Sequence, residues 1–146
     1  ADGSPTPEPC QRRWPTLRNG SRGDAVVALQ HLLNARLGIF EGIATDGIFG
    51  PKTEWAVERF QRQNALGASG VVKRKTWKVL VVTLRRGDQG EAVRAVQTLL
   101  AIRVTGNFNH PTKVAVKKFQ RQNGLAVDGI VGPNTWAALV GGRGCP

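Results

Sequence analysis

Apolar residues recur along the chain with helical spacing, in short stretches separated by glycine- and proline-rich turns. Val26, Leu29, Gln30 and Leu33 fall at i, i+3, i+4 and i+7, and Val93, Val96, Gln97 and Leu100 repeat the arrangement. Each set predicts a helix whose inner stripe is broken once, by a glutamine expected to bond the backbone of the adjoining loop. A second helix is predicted from about Pro51 to Asn64, with Thr53, Ala56, Val57 and Phe60 inward, and its twin from Pro111 to Asn123. Shorter third helices are predicted over Lys73–Val81 and Pro133–Val140. Ser21 with Asp24, and Asp88 with Glu91, have the spacing of a capping box, so a side-chain cap is expected where each first helix begins.

The elements are two copies of one unit. The segment Leu17–Val26 recurs as Leu84–Val93 at an offset of 67, and Ala56–Asn64 recurs as Ala115–Asn123 at an offset of 59. The offsets differ by eight, which implies a deletion of that length in the second copy, placed around Leu37 to Ala44. A smaller repeat is nested inside: Asp46-Gly-Ile-Phe-Gly-Pro-Lys-Thr53 and Asp128-Gly-Ile-Val-Gly-Pro-Asn-Thr135 share a turn-then-helix pattern. Two drifted copies, Ser69–Thr76 and Thr105–Thr112, keep the turn glycine and the threonine. The organisation read from this is all-α: a tail over residues 1–13, one three-helix module over 14–82 and a second over 83–146. A unit of about 60 residues buries too little surface to be more than marginally stable alone, so the two copies are expected to dock.

Composition narrows the function. The chain has 146 residues, 21 Lys plus Arg against 10 Asp plus Glu, and a formal charge of +11. Leu17–Leu80 holds 10 basic and 5 acidic residues and Leu84–Leu139 holds 8 and 3, so each copy is equally cationic and a polyanionic partner is expected. No apolar run approaches the ~18 to 20 residues of a membrane span. The absence of methionine suggests a processed product such as a mature form after signal-peptide removal. Cys10 and Cys145 are the two cysteines; a disulfide clamping the termini is expected, with an intermolecular bridge or free thiols as alternatives.

Five ordered pieces occur in both copies: Leu-Arg-x-Gly-(Ser/Asp)-x-Gly, Val-x-x-(Leu/Val)-Gln-x-x-Leu, Gly-x-Phe, Ala-Val-x-x-Phe-Gln and Gly-x-Val-x-x-x-Thr-Trp. Together they resemble the peptidoglycan-binding domain family, small three-helix modules of bacterial cell-wall hydrolases, over about Trp14 to Val140. The resemblance implies a secreted, wall-associated protein that binds peptidoglycan or an associated anionic wall polymer through two modules. Two copies differ where turns would line a groove: Lys73-Arg74 stands where Gly132-Pro133 does, and Thr105 stands for Asp46.

Candidate ligand residues cluster in these turns and the helices after them: Asp46, Phe49, Thr53 and Trp55 in the first module, and Asn107, Phe108, Asp128, Ile130, Thr135 and Trp136 in the second. Asp46 and Asp128 either close turns or accept hydrogen bonds from ligand hydroxyl or N–H groups. Phe49 and Phe108 are core or groove-lining. Trp77 and Trp136, at matched positions, are expected as core anchors. Trp55 lies about 160° round the helix from Val57, on an outer face, with sugar stacking, a partner contact or inter-repeat packing as its roles. Trp14 is expected to pack under the first repeat.

Catalysis finds little support. The motifs His-Glu-x-x-His, Gly-x-Ser-x-Gly and Ser-x-x-Lys are missing, and His31 and His110 have no counterpart in the other copy. No metal site or cofactor is expected, and nucleic acid is the least favoured polyanion because no reading motif accompanies the charge. The rival readings are an interaction protein that uses the fold for self-assembly or partner docking, and the binding portion of a longer enzyme.

Overall fold

The structure is a computed structural model that describes residues 14–38 and 42–141. Among these residues it is all-helical, with six helices in two sets of three: α1 (Asp24–Leu37), α2 (Pro51–Gln63) and α3 (Arg74–Leu80), then α4 (Glu91–Leu99), α5 (His110–Gln122) and α6 (Pro133–Gly141). No ladder longer than an isolated antiparallel bridge occurs among them. The Cys10–Cys145 clamp and the tail over 1–13 lie outside the described residues.

Each set is closed by the segment that leads into it. Leu17 exchanges both backbone hydrogen bonds with Val72, and Leu84 does so with Val131. The third-helix tryptophan then donates its indole N–H to the same segment, Trp77 to the Pro15 carbonyl (2.8 Å) and Trp136 to that of Val82 (2.6 Å). Both tryptophans are fully buried, as expected of core anchors. Trp14 stacks on Trp77 with ring centroids 5.8 Å apart, which puts it beneath the first module as its sequence position suggested.

The expected side-chain caps do not form. Gly23 and Gly90 are the N-caps of α1 and α4, and neither supplies a side chain. Ser21 Oγ and Asp88 Oδ2 instead accept the backbone N–H three residues earlier, from Arg18 (3.0 Å) and Arg85 (2.9 Å). The chain turns sharply just before each helix, so a short polar side chain there reaches back into the turn rather than forward to the helix N–H groups.

The two sets dock through their first helices. Val26, Leu29 and Leu33 fill the first module's core, while Ala28 and Leu32, on the opposite side of α1, are also fully buried. The helix packed most extensively on α1 is α4, whose buried Ala95 is the counterpart of Ala28 and whose buried Ala92 is that of Ala25. Small side chains on both surfaces let the two helix axes approach closely and still exclude water. His31 Nδ1 and Glu91 Oε2 sit 2.6 Å apart at the junction. This burial on two sides supplies what a sixty-residue unit lacks.

Candidate functional site

Four turns connect helices within the modules, and one glutamine organises each. Gln30, Gln61, Gln97 and Gln120 are all buried. Each side-chain carbonyl accepts the N–H of the turn glycine, Gly47, Gly70, Gly106 or Gly129. Each amide donates to the carbonyl of the residue just after that glycine, Ile48, Val71, Asn107 or Ile130, and to the hydroxyl of Thr53, Thr76, Thr112 or Thr135. The bracket ties one helix, the following turn and the next helix together with every polar atom paired. The glycine is obligatory: φ is +75° at Gly47, and a Cβ there would lie 3.0 Å from Val27 Cγ2.

The brackets also locate the length difference between the copies. From glutamine to glycine the separation is nine residues in three brackets and 17 in the first. The long bracket is that of the first module, so the eight residues by which the copies differ lie between Gln30 and Gly47 and are extra there relative to the other three brackets. Part of the extra length is helical, because α1 runs to Leu37 whereas α4 stops at Leu99, the counterpart of Leu32. Asn34 pins its far end, exchanging two hydrogen bonds with the Ile43 backbone.

The candidate residues divide by burial. Phe49, Phe108, Thr53, Thr135 and Trp136 lie inside, the phenylalanines in the core and the threonines in the brackets, so they support the surface from beneath and offer a ligand no face of their own. Asp46, Asn107 and Asp128 are exposed, and Ile130 is half-buried. Asp46 Oδ1 accepts the Ile48 N–H and the Gln30 amide, and Asp128 Oδ1 accepts the Ile130 N–H and the Gln120 amide. These bonds, the backbone one foremost, hold both carboxyls below the usual aspartate value. Thr105 Oγ1 makes the same pair of bonds in its turn, and Ser69 Oγ makes the backbone one. Both aspartates therefore close turns. Gln61 and Gln120 were missed as partners, although their place before a Gly-x-x-x-x-x-Thr run matches that of Gln97.

One exposed helix face is matched between the two modules. Lys52, Trp55, Arg59 and Arg62 are exposed on α2, and Pro111, Val114, Lys118 and Arg121 occupy the same positions on α5. The Arg59 guanidinium lies 5.4 Å from the centre of the Trp55 ring. On α5 the face borders a groove of about 410 Å³, walled by Leu99, Leu100 and Ile102 on one side and by Pro111, Val114 and Phe119 on the other. Lys118 and Gln122 are its polar lining. Among the described residues, acidic partners within ion-pair distance are found only for His31 and Arg94, both at Glu91, so Lys52, Arg59 and Lys118 have none there. Among those residues no three His, Cys, Asp or Glu side chains come together as metal ligands, and no helix is long and apolar enough to cross a membrane.

The fold and surface define a tandem of small three-helix modules with a cationic outer face, and comparison with known proteins names their family. The sequence profile of the putative peptidoglycan binding domain matches residues 22–80 and 89–139, and the chain belongs to that family as a tandem pair. A probable N-acetylmuramoyl-L-alanine amidase of Bacillus licheniformis is 35% identical over 84% of this chain, which covers 36% of the relative. A zinc D-Ala-D-Ala carboxypeptidase of Streptomyces albus G is 44% identical over 37% of the chain and 24% of the relative. The chain thus spans about a third or less of these curated relatives. A solved fused Zn-dependent amidase/peptidase/peptidoglycan-binding protein from Clostridium acetobutylicum shares 34% identity, with a TM-score of 0.43 over 48% of this chain and 30% of that one. Membership associates the chain with the bacterial cell wall.

Proposed function

We propose that the chain is a secreted, non-catalytic wall-binding unit whose two modules hold peptidoglycan through the matched outer faces of α2 and α5. The observation that carries this is the recurrence of that face, cationic and unpaired, in both members of a peptidoglycan-binding pair. Asp46, Asn107 and Asp128 are exposed in the turns and Ile130 is half-buried there, and Trp55 is the aromatic platform of the face in the first module. The net charge of +11 draws the protein to an anionic wall, an attraction screened beyond ~8 Å at physiological salt. Two rigidly docked sites add avidity without new contacts when both engage one polymer. Amidases and a carboxypeptidase among much longer relatives fit a role in holding a catalytic domain at its substrate.

Retention on purified, polymer-stripped sacculi at rising salt tests the reading. Binding that survives ~0.5 M salt is expected, because purely electrostatic adhesion washes off there. Trp55, 46% exposed, favours one second reading, docking of a protein partner or a second copy. Size-exclusion of the protein alone separates the two: loss of sacculus binding together with a concentration-dependent oligomer would replace the wall by self-assembly.

A further inference from the structure

We propose that the groove between the end of α4 and α5 takes the free end of a short peptide with small apolar side chains and a terminal carboxylate. This rests on the wall-binding reading and assigns the second module to the peptide part of the polymer rather than to its glycan. Seven of the nine lining residues are apolar, and only Lys118 and Gln122 offer polar side chains. A sugar ring carries a hydroxyl on nearly every carbon, each needing a partner once water is displaced. Two polar side chains cannot meet that demand, whereas a short extended peptide can leave its backbone N–H and C=O groups toward the open side of the groove while its methyl-bearing side chains gain by leaving water. The volume of about 410 Å³ falls at the lower end of ligand pockets, suited to two or three small residues. Lys118 is the one charged lining group, and its ammonium matches a carboxylate.

The groove follows from two departures of the second module from the first. Its first helix ends at Leu99, five residues short of the matched end of α1. Ala101 then takes φ +57° and reverses the chain, which places Leu100 and Ile102 on the groove wall. The second departure is Val114 where the first module carries Trp55, so the opposite wall lacks an indole. Val114 is 51% exposed, so the larger side chain can be put back without disturbing the core.

The test follows backbone amide shifts of the full chain by NMR. Trialanine in all-L and all-D forms, its C-terminal amide, and a chitin tetrasaccharide are titrated against wild type, Val114→Trp and Lys118→Gln. At least one free-acid tripeptide should saturably shift the amides of Leu100–Ile102 and Val114–Phe119. Amidation or Lys118→Gln should weaken that binding fivefold or more, and Val114→Trp should abolish it with an unchanged far-UV spectrum. Shifts at the groove from the tetrasaccharide but from neither tripeptide, or undiminished peptide binding by Val114→Trp, would overturn the proposal. Sacculus retention measured in parallel keeps the two readings apart. A retained wild type with a peptide-silent groove sinks this inference alone, and a peptide-binding groove on a protein that sacculi do not retain sinks the wall reading alone.

Discussion

Both modules build their turns around the same buried glutamine, yet they present different chemistry on the outer face of the middle helix. In the first, α1 runs five residues further and Trp55 stands over Arg59; in the second, α4 stops early and Val114 borders a groove. The bracket is conserved between copies because its parts are mutually dependent. Changing the glutamine, the glycine or the threonine strands the others in a buried site. The outer face has no such constraint, since solvent meets whatever a side chain leaves open. Duplication therefore kept the scaffold and freed the surface to diverge.

The largest effect expected is on the shared part. Gln30→Leu and Gln97→Leu each leave a turn N–H, a carbonyl and a threonine hydroxyl without their partner, and each should cost about 3 kcal/mol in urea unfolding. Clearly unequal costs would show that the brackets are not equivalent. Enlarging the docking face comes next: Ala28→Leu should destabilise by about 2 kcal/mol through overpacking, because Ala28 has no exposed surface. A neutral result would mean that α1 and α4 are not held as closely as the structure shows. Trp14→Ala should cost about 1 kcal/mol by removing the stack on Trp77, a contact the second module lacks because Val81 is the matched residue.

Helix ends give a smaller contrast, with opposite signs. The left-handed residue after α1 is Gly38 and after α4 is Ala101; after α2 it is Ala65 and near the end of α5 it is Gly124. Ala101→Gly and Ala65→Gly should stabilise by about 0.5 kcal/mol, and Gly124→Ala should destabilise by a similar amount, read as shifts in thermal midpoint. The smallest effect belongs to the turn aspartates. Their folded values lie below the ordinary 3.8, so their contribution is complete above that pH and lost as pH falls through the lowered values. Asp46→Asn and Asp128→Asn should each flatten the acid limb of a stability–pH profile below 3.8, whereas substituting Thr105 or Ser69 should leave its slope unchanged.

The helices were legible because each has a stripe with a strong period, and Pro51, Pro111 and Pro133 mark three of the starts. Gln30 and Gln97 were readable as structural residues because a lone amide in an apolar stripe needs local partners. Ser21 and Asp88 misled because the capping pattern specifies spacing, while the direction of the chain at that point depends on which turn packs against it. Phe49, Phe108 and Trp136 shared short segments with exposed turn residues, and proximity in sequence does not say which side of a turn faces the core. Ala28 and Ala95 carried a second stripe that small side chains made faint.

The sequence by itself determined the two copies, their three helices each, the turn chemistry and the shared charge, because these depend on local spacing and residue type. Tertiary structure decided that α1 and α4 form the seam, that the eight extra residues belong to the first module, and that a groove opens beside α5. Those outcomes depend on how close two helix axes come and where one helix ends against another. Distances between segments far apart in the chain set both, and no local pattern encodes them.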